Sequence, residues 1–400
     1  MTTTSPETPA SAPGAHSSAP ITADVTRSTA RREAWTVSPS GVWLVAQLEL
    51  RQRVRSTKWK WALGTVAALI GGVTFLMWAA VRSFTGVGPD SVDAGTGNVI
   101  FGLVVFFVLF LGLVISPTLS ATTINGDVRD GTMAPLQATG LSAIDIVLGK
   151  LLASWVASLA FVVVAIPFIA FSYIDGNIPA LAMLVVVVVL AVELLVVCAL
   201  GLGWSALTAR TPASAVLTYT TVAVLSVVLP IVFGLLSAVY TEDVTVTQRN
   251  EVYYDASSAP KGAVKDAQGN YFVCEESTYT NTVPRTDRLW WLLAVNPYVI
   301  VADSAPSPTR NVNDFTEAGV LSSLKEAVRG ARLGPAPYTD YCRDGVTPQE
   351  QARRDNLAAL PPVWPWGLGF QALLGLGAVA LAVRRVSVPY GKLPTGSRVA

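Results

Sequence analysis

Six long apolar stretches constrain this chain more than any other feature of its sequence. They cover roughly residues 61–82, 98–120, 150–174, 178–208, 213–240 and 363–384. At about 1.5 Å per residue in a helix, each is long enough to cross about 30 Å of hydrocarbon. The sequence therefore predicts an all-α polytopic membrane bundle of six transmembrane helices.

The composition favours the same class and argues against several others. Hydrophobic residues make up 52% of the 400 residues and charged residues only 14%, whereas soluble proteins have about a quarter charged residues. The net charge of +1 shows no basic excess, so we expect no nucleic-acid partner. The only histidine is His16, and the three cysteines lack C-x-x-C spacing. We therefore expect neither a metal site nor a catalytic constellation.

The distribution of Lys and Arg predicts the orientation of the chain. Basic residues concentrate before the first apolar stretch and after the last, while residues 83–97 and 175–177 contain Asp but no Lys or Arg. By the positive-inside rule, both termini are cytoplasmic and the chain lies in the plasma membrane. Residues 1–39 and 385–400 are then cytoplasmic tails, the first predicted to be disordered from its Ser, Thr, Ala and Pro content.

Residues 40–60 predict an amphipathic helix that lies in the membrane interface. Trp43, Leu44 and Leu48 are followed by five cations, Arg51, Arg53, Arg55, Lys58 and Lys60. Such a helix places its cations near anionic headgroups. A basic juxtamembrane helix that stays in the cytoplasm is the alternative.

Residues 241–362 predict an extracellular α+β insertion between the fifth and sixth spans. Residues 244–248 and 277–283 alternate as strands do, and residues 314–334 have the pattern of a helix that Asp314 and Glu317 cap. The apolar segment 289–302 is too short to span and predicts an interfacial or re-entrant piece. Cys274 and Cys342 both fall in this insertion, where either a disulfide or two free thiols is consistent with the sequence.

The loop between the second and third spans, residues 121–149, carries the most local information. Thr132 can cap a short helix over 133–139, with Pro135 in its first turn, and Gly140 can end it. The pattern predicts a helix held across the cytoplasmic face. It indicates either an ordinary capped loop or a docking site for a cytoplasmic partner.

This loop resembles the corresponding loop of ABC-2-type transporter permeases, the membrane subunits of ATP-binding-cassette exporters. The elements that carry the resemblance are Asp127, Arg129 and Asp130, Gly131-Thr132-Met133, Leu136, Thr139-Gly140-Leu141-Ser142, and Gly149-Lys150. The basic helix before the first span and the six-span layout are similar as well. The long segment between the fifth and sixth spans has the position of the extracellular loop in ABCG-like relatives but is larger than many, which leaves its role open.

The resemblance implies a dimeric permease, made with a second copy or a paralogue, whose loop helix transmits motion from a separate ATPase subunit. It implies an ATPase-coupling role for seven residues, Asp127, Arg129, Asp130, Gly131, Thr132, Met133 and Leu136. Met133 and Leu136 would be apolar contacts and the three charged residues polar ones, unless those charges are simply solvated. The chain has no G-x-x-x-x-G-K-[ST] loop, so ATP and Mg would be bound by the partner.

Glu193 is the only formal charge deep inside an apolar stretch. A carboxyl near the bilayer centre costs on the order of 3 kcal/mol, so it should face the bundle or a wet cavity. It shares a helix face with Val197, Gly201 and Ser205. Glu193 is then either a polar group of the translocation path or a structural residue bonded to a neighbouring helix.

These observations favour the permease subunit of an ATP-driven exporter that moves an amphipathic or lipid-like compound out of the cell. An ion-coupled secondary transporter that uses Glu193 is one alternative, although no internal repeat supports it. A membrane-anchored receptor or envelope-assembly protein that acts through residues 241–362 is the other.

Overall fold

The computed structural model describes residues 34–85, 94–138, 141–174, 180–255, 257–266, 269–306, 319–342 and 347–387. Most of the predicted N-terminal tail, most of the C-terminal tail, Thr139, Gly140, Asp314 and Glu317 lie outside these residues. The elements below are numbered along this described part of the chain.

Within it, six helical spans are long and apolar enough to cross a membrane. The helices of the bundle and its loops are α1 (Pro39–Arg55), α2 (Thr57–Thr85), α3 (Ala94–Ser120), α4 (Thr123–Arg129), α5 (Met133–Ala138), α6 (Ala143–Ile174), α7 (Ala180–Leu207), α8 (Thr211–Ala223), α9 (Leu229–Val239) and α14 (Trp364–Val386). A π-helical turn, Val224–Val228, joins α8 to α9, so these three pieces form one span. The six predicted stretches coincide with α2, α3, α6, α7, α8–α9 and α14.

One predicted helix is divided in the structure, and one predicted span is preceded by further helical residues. Residues 40–60 do not form one helix, because α1 ends at Arg55 and α2 begins at Thr57, with Ser56 between them in an extended conformation. Residues 57–60 therefore belong to the first span. The helix of the third span begins at Ala143, before the apolar stretch that starts near residue 150. The Ser142 hydroxyl accepts the Asp145 N–H at 3.1 Å there, as the spacing of these two residues in the sequence indicates.

Helix α7 lies at the centre of the bundle and packs against α3, α6, α8 and α14. Its side chains are buried along most of its length, which explains why its sequence is apolar all round. The approach to α3 is close, since a Cβ at Gly112 would lie 2.6 Å from Leu194. By contrast, much of α2 and of α8–α9 is exposed in the single chain, and lipid or a second copy would cover these faces.

The predicted strands at 244–248 and 277–283 lie within longer strands, β1 (Thr241–Tyr254) and β3 (Tyr271–Pro284). These two pair antiparallel from Thr241↔Pro284 to Tyr254↔Tyr271. Short strands β2 (Val264–Lys265) and β4 (Tyr338–Asp340) complete a sheet with the order β2-β3-β1-β4, in which β4 is parallel to β1.

The rest of the insertion is helical. It contains α10 (Trp291–Ala294), α11 (Pro297–Ser304), α12 (Val320–Leu333) and α13 (Pro348–Ala359). Within the described residues, the helix predicted over 314–334 begins at Val320, directly after Gly319.

The short apolar segment predicted at 289–302 forms α10 and α11 and does not span. Asn296 lies between these two helices, directly before α11. Its Oδ1 accepts the Tyr298 N–H at 2.8 Å, and its Nδ2 donates to the Ser226 carbonyl at 2.9 Å. That carbonyl lies in the π-helical turn, where the helix ladder is irregular and leaves polar groups for outside partners. Ile300 and Val301 of α11 are fully buried in the main core of the bundle.

Asp303, at the end of α11, connects the insertion to the last span. Its Oδ2 accepts the N–H groups of Val363 and Trp364 at 2.6 and 2.9 Å, where α14 begins. Its Oδ1 forms an ion pair with Arg329 Nε of α12 at 2.8 Å. One carboxylate thus joins α11, α12 and α14.

Candidate functional site

The predicted coupling segment forms a compact unit that we call the loop site, meaning α4, α5 and the side chains that contact them. Its centre is Lys150, whose side chain is 1% exposed. The Lys150 Nζ lies 2.5 Å from Glu49 Oε1 of α1 and 2.5 Å from Asp127 Oδ2 of α4. A buried ammonium is tolerated when such partners compensate its charge. The three residues therefore join α1, α4 and α6 at one point.

Steric crowding explains why the residue before Lys150 is a glycine. A Cβ at Gly149 would lie 2.6 Å from the Val45 Cβ of α1, which is closer than side chains pack. Glycine at this position lets α1 approach α6 closely enough for Glu49 to reach Lys150. The Gly149-Lys150 pair was singled out from the sequence, but Glu49 was not. Glu49 lies 101 residues before Lys150, and no local pattern in the sequence marks it as an ion-pair partner.

A second set of contacts ties α4 to α7 and α8. The Ser205 hydroxyl accepts the N–H groups of Ile124 and Asn125 at 3.0 and 3.2 Å and donates to Asn125 Oδ1 at 3.1 Å. The Asn125 Nδ2 donates to Ser214 Oγ at 2.8 Å. These side chains are all buried, so the start of α4 is fixed by a satisfied polar network. Asn125 was not singled out from the sequence.

The turn between α4 and α5 depends on Gly131 and Thr132. Gly131 has φ 71°, in the left-handed region that glycine adopts without strain. The Thr132 N–H and hydroxyl both donate to the Asp127 carbonyl, at 3.0 and 3.3 Å. Both residues thus shape the turn, and Thr132 ties it back to the backbone of Asp127.

The apolar side of the loop site differs from the sequence interpretation. Met133 is 7% exposed and packs with Ile146 and Val383 in the chain's own core, because α5 lies against the ends of α6 and α14. The Met133 side chain is therefore not exposed as an apolar contact for a partner. Leu136 is half-buried at the edge of the same cluster. Val128 of α4, which the sequence analysis did not name, is 62% exposed.

The polar side of the loop site is accessible. The side chains of Arg129 and Asp130 are 65% and 60% exposed, and Arg129 Nε donates to Asp130 Oδ1 at 3.0 Å. Beside them lies a cavity of about 310 Å³, whose lining includes the carboxylates of Glu49, Asp127 and Asp130. Two of these carboxylates, Glu49 and Asp127, pair with Lys150, and the third, Asp130, pairs with Arg129.

Glu193 lies far from the loop site, in the buried part of α7. It is fully buried, and neither carboxylate oxygen has a hydrogen-bond partner among the described residues. Two residues of its predicted face have other contacts, since Gly201 packs directly against Ser120 of α3 and Ser205 belongs to the loop site. Both roles considered for Glu193 stay predictions.

Cys274 and Cys342 are brought together by the sheet of the insertion. Cys274 lies in β3 and Cys342 follows β4, and the two are joined in a disulfide with Cα atoms 6.0 Å apart. The bond closes a separation of 68 residues. The remaining cysteine, Cys198, is a buried free thiol in α7.

We expect the unfolded, unreduced chain to react with an alkylating reagent at Cys198 alone. Cross-links that close loops of this length stabilise proteins by about 2–5 kcal/mol. Cys274→Ser combined with Cys342→Ser should therefore lower the unfolding temperature, whereas Cys198→Ala should not remove a cross-link. Mass spectrometry counts the labelled thiols. Three labels on the unfolded, unreduced chain would show that the disulfide is absent.

Taken together, the six apolar helical spans indicate a multi-pass membrane protein, and the loop site presents an exposed polar surface. The sequence model of the ABC-2 family transporter proteins matches residues 43–311. That range covers more than half of the chain, from α1 through α11 and including the whole loop site. The chain belongs to the ABC-2 transporter family, as the resemblance of the loop indicated, and is thus of the permease class. A comparison with curated proteins found no match.

Proposed function

We propose that the chain is the permease subunit of an ATP-driven exporter and moves an amphipathic or lipid-like compound out of the cell. In this proposal the termini and the loop site are cytoplasmic and residues 241–362 are extracellular, as the Lys and Arg distribution predicts. The family membership supports a permease that acts with an ABC ATPase. ATP and Mg would be bound in that partner, and a second permease copy or paralogue would complete the translocation unit.

The observation that carries the proposal is the construction of the loop site. Its outer surface, formed by Val128, Arg129 and Asp130, is exposed. Its inner surface is fixed to three spans through Lys150 and Asn125. A force applied to such a unit moves the ends of α6, α7 and α8 together, which is what coupling between an ATPase and a two-state bundle requires.

The chemistry of the outer surface indicates how the ATPase would be recognised. Asp130 is the most exposed of the three carboxylates in the cavity beside α4, so a cationic side chain of the partner would find charge complementarity there. Val128 would supply an apolar contact, and burying one valine contributes about 1.5 kcal/mol. Leu136 would lie at the edge of this contact, and Met133 would support it from within.

Glu193 carries the alternative of an ion-coupled secondary transporter. A fully buried carboxyl without a described hydrogen-bond partner is the kind of group that binds and releases a proton in such transporters. That alternative requires transport driven by a gradient without any ATPase. The receptor alternative requires instead that the insertion bind a ligand by itself and that the loop site be dispensable.

Two substitutions on the exposed surface test the proposal without disturbing the buried network. We expect Asp130→Lys and Val128→Glu to weaken capture of the ATPase subunit by at least about tenfold, which corresponds to about 1.4 kcal/mol. Like charges and a buried unpaired carboxylate at an interface both oppose binding. Titration of the purified ATPase onto the detergent-solubilised chain measures the affinity.

Matched controls are available in the insertion. Asp355→Lys reverses an exposed charge on α13, and Val264→Glu places a carboxylate on an exposed strand residue. Neither should change the affinity for the ATPase. Equal affinities for the loop variants and these controls would contradict the assignment of the loop site as the docking surface.

A further inference from the structure

A second, larger cavity lies at the elbow between α1 and α2 and adjoins the cavity of the loop site through Thr122 and Thr123. It has a volume of about 620 Å³, within the range of ligand-binding pockets. The end of α1, the start of α2 and the last turns of α3 form its walls, and Phe161 of α6 contributes one side chain. The sequence analysis did not predict a cavity here.

The charged residues of this cavity are cationic. Arg53 and Lys58 line it, and no carboxylate does among the described residues. The Arg53 Nη2 donates to the Leu119 carbonyl at 3.0 Å and to Ser154 Oγ at 3.4 Å. The Arg53 Nη1 is buried without a hydrogen-bond partner among the described groups. A buried donor of this kind normally finds an acceptor, and a bound anion would supply one.

One part of the cavity wall is apolar. The rings of Trp59 and Phe161 meet edge to face with centroids 5.2 Å apart, and Val66 and Ile115 line the wall beside them. A ligand that satisfied Arg53 and also filled this space would need an anionic head and an apolar tail. Inorganic phosphate or a soluble anion would leave the apolar wall uncovered.

The location of the cavity favours a membrane lipid as the ligand. Helix α2 is the first span, so its start lies where lipid headgroups meet the hydrocarbon. Arg and Lys side chains at this depth attract anionic headgroups, while the tail continues along the span. The exposed Trp43 and Leu44 of α1 face outward on the neighbouring surface, as expected for a helix that contacts lipid.

We propose that the elbow cavity is a binding site for an anionic phospholipid. Arg53 and Lys58 hold the phosphodiester, and one acyl chain lies against Trp59 and Phe161. The proposal does not depend on the proposed transport function, since binding is measured on the permease chain alone. It concerns a residue pair that the loop site does not use.

The test uses the full chain in neutral detergent micelles that contain dioleoyl phosphatidylglycerol. Dioleoyl phosphatidylcholine tests the requirement for an anionic head, and inorganic phosphate tests the requirement for a tail. We expect phosphatidylglycerol to be retained through purification and to raise the unfolding temperature. Phosphatidylcholine and inorganic phosphate should do neither at the same concentration.

The key variant is Lys58→Glu, because Lys58 is exposed and its replacement should leave the fold intact. Arg53 is not replaced, because its side chain is packed between α3 and α6. Lys60→Glu is the matched control, on the same turn of α2 but outside the cavity lining. Lys58→Glu should reduce phosphatidylglycerol retention at least about tenfold relative to Lys60→Glu. Equal retention by the two variants, or equal stabilisation by phosphatidylcholine, would overturn the proposal. Stabilisation by phosphate alone that matches phosphatidylglycerol would overturn the assignment to a lipid.

Discussion

Replacing Lys150 with alanine should destabilise the chain by about 3 kcal/mol, the lower end of the cost of breaking a buried ion pair. The change removes the cation that Glu49 and Asp127 share and leaves two carboxylates facing each other. The lower end applies because their side chains are 17% and 30% exposed and recover some hydration. Thermal unfolding of the purified chain in detergent measures the effect.

A control and a rescue make this result specific to the buried charge. Lys60→Ala removes an exposed lysine of α2 and should leave the unfolding temperature unchanged. Combining Lys150→Met with Glu49→Gln and Asp127→Asn removes all three charges and should restore most of the lost stability, since neutral groups of similar shape pack without unpaired charge. If Lys150→Ala unfolded at the same temperature as Lys60→Ala, the ion triad would contribute nothing.

Replacing Asp303 with alanine should cost about 3–5 kcal/mol, since it leaves an uncompensated buried charge. The Asp303 side chain is fully buried and compensates Arg329, whose side chain is 14% exposed. Burial lowers the pKa of Lys325, Arg329 lowers it further, and Asp303 and Glu326 oppose both. The loss of Asp303 therefore removes the ion-pair partner of Arg329 and one of the two carboxylates that favour the charged form of Lys325. The N–H groups of Val363 and Trp364 would lose their shared acceptor as well.

Asp303→Asn separates these contributions. The amide oxygen can still accept an N–H from the start of α14 but carries no charge for Arg329, so its cost should lie between those of wild type and Asp303→Ala. Asp355→Ala, on the exposed side of α13, is the control that should be neutral. Unfolding temperature and proteolysis of the insertion measure the effect, and a neutral Asp303→Ala would show that α11 and α14 are held by packing alone.

Features that depend on one contiguous run of residues were accessible from the sequence. Each apolar run coincides with a helical span because length and composition alone decide whether a helix can cross lipid. The strands at 244–248 and 277–283 were accessible for a similar reason, since alternation along a strand is local. The turn at Gly131 and Thr132 was not predicted, since Thr132 was interpreted as the cap of the next helix, whereas its N–H and hydroxyl both donate to the Asp127 carbonyl.

Features that depend on contacts between distant residues were not accessible. The sequence shows Lys150 as a cation at the start of a span, but not that Glu49 and Asp127 hold it. Met133 was interpreted as an apolar contact for the ATPase. The sequence does not show which side of the short helix α5 is buried, and the packing of α5 against α14 decides this. Val128 was overlooked for the same reason.

The central claim is that the chain is driven by a separate ATPase docked on the loop site. The most direct measurement is ATP hydrolysis by the ATPase subunit that co-purifies with the tagged chain, reconstituted in lipid vesicles with and without the permease. We predict that the permease stimulates hydrolysis several-fold and that Asp130→Lys removes the stimulation while Asp355→Lys retains it. Gradient-driven transport without any ATPase, lost in Glu193→Gln and unaffected by Asp130→Lys, would contradict this account.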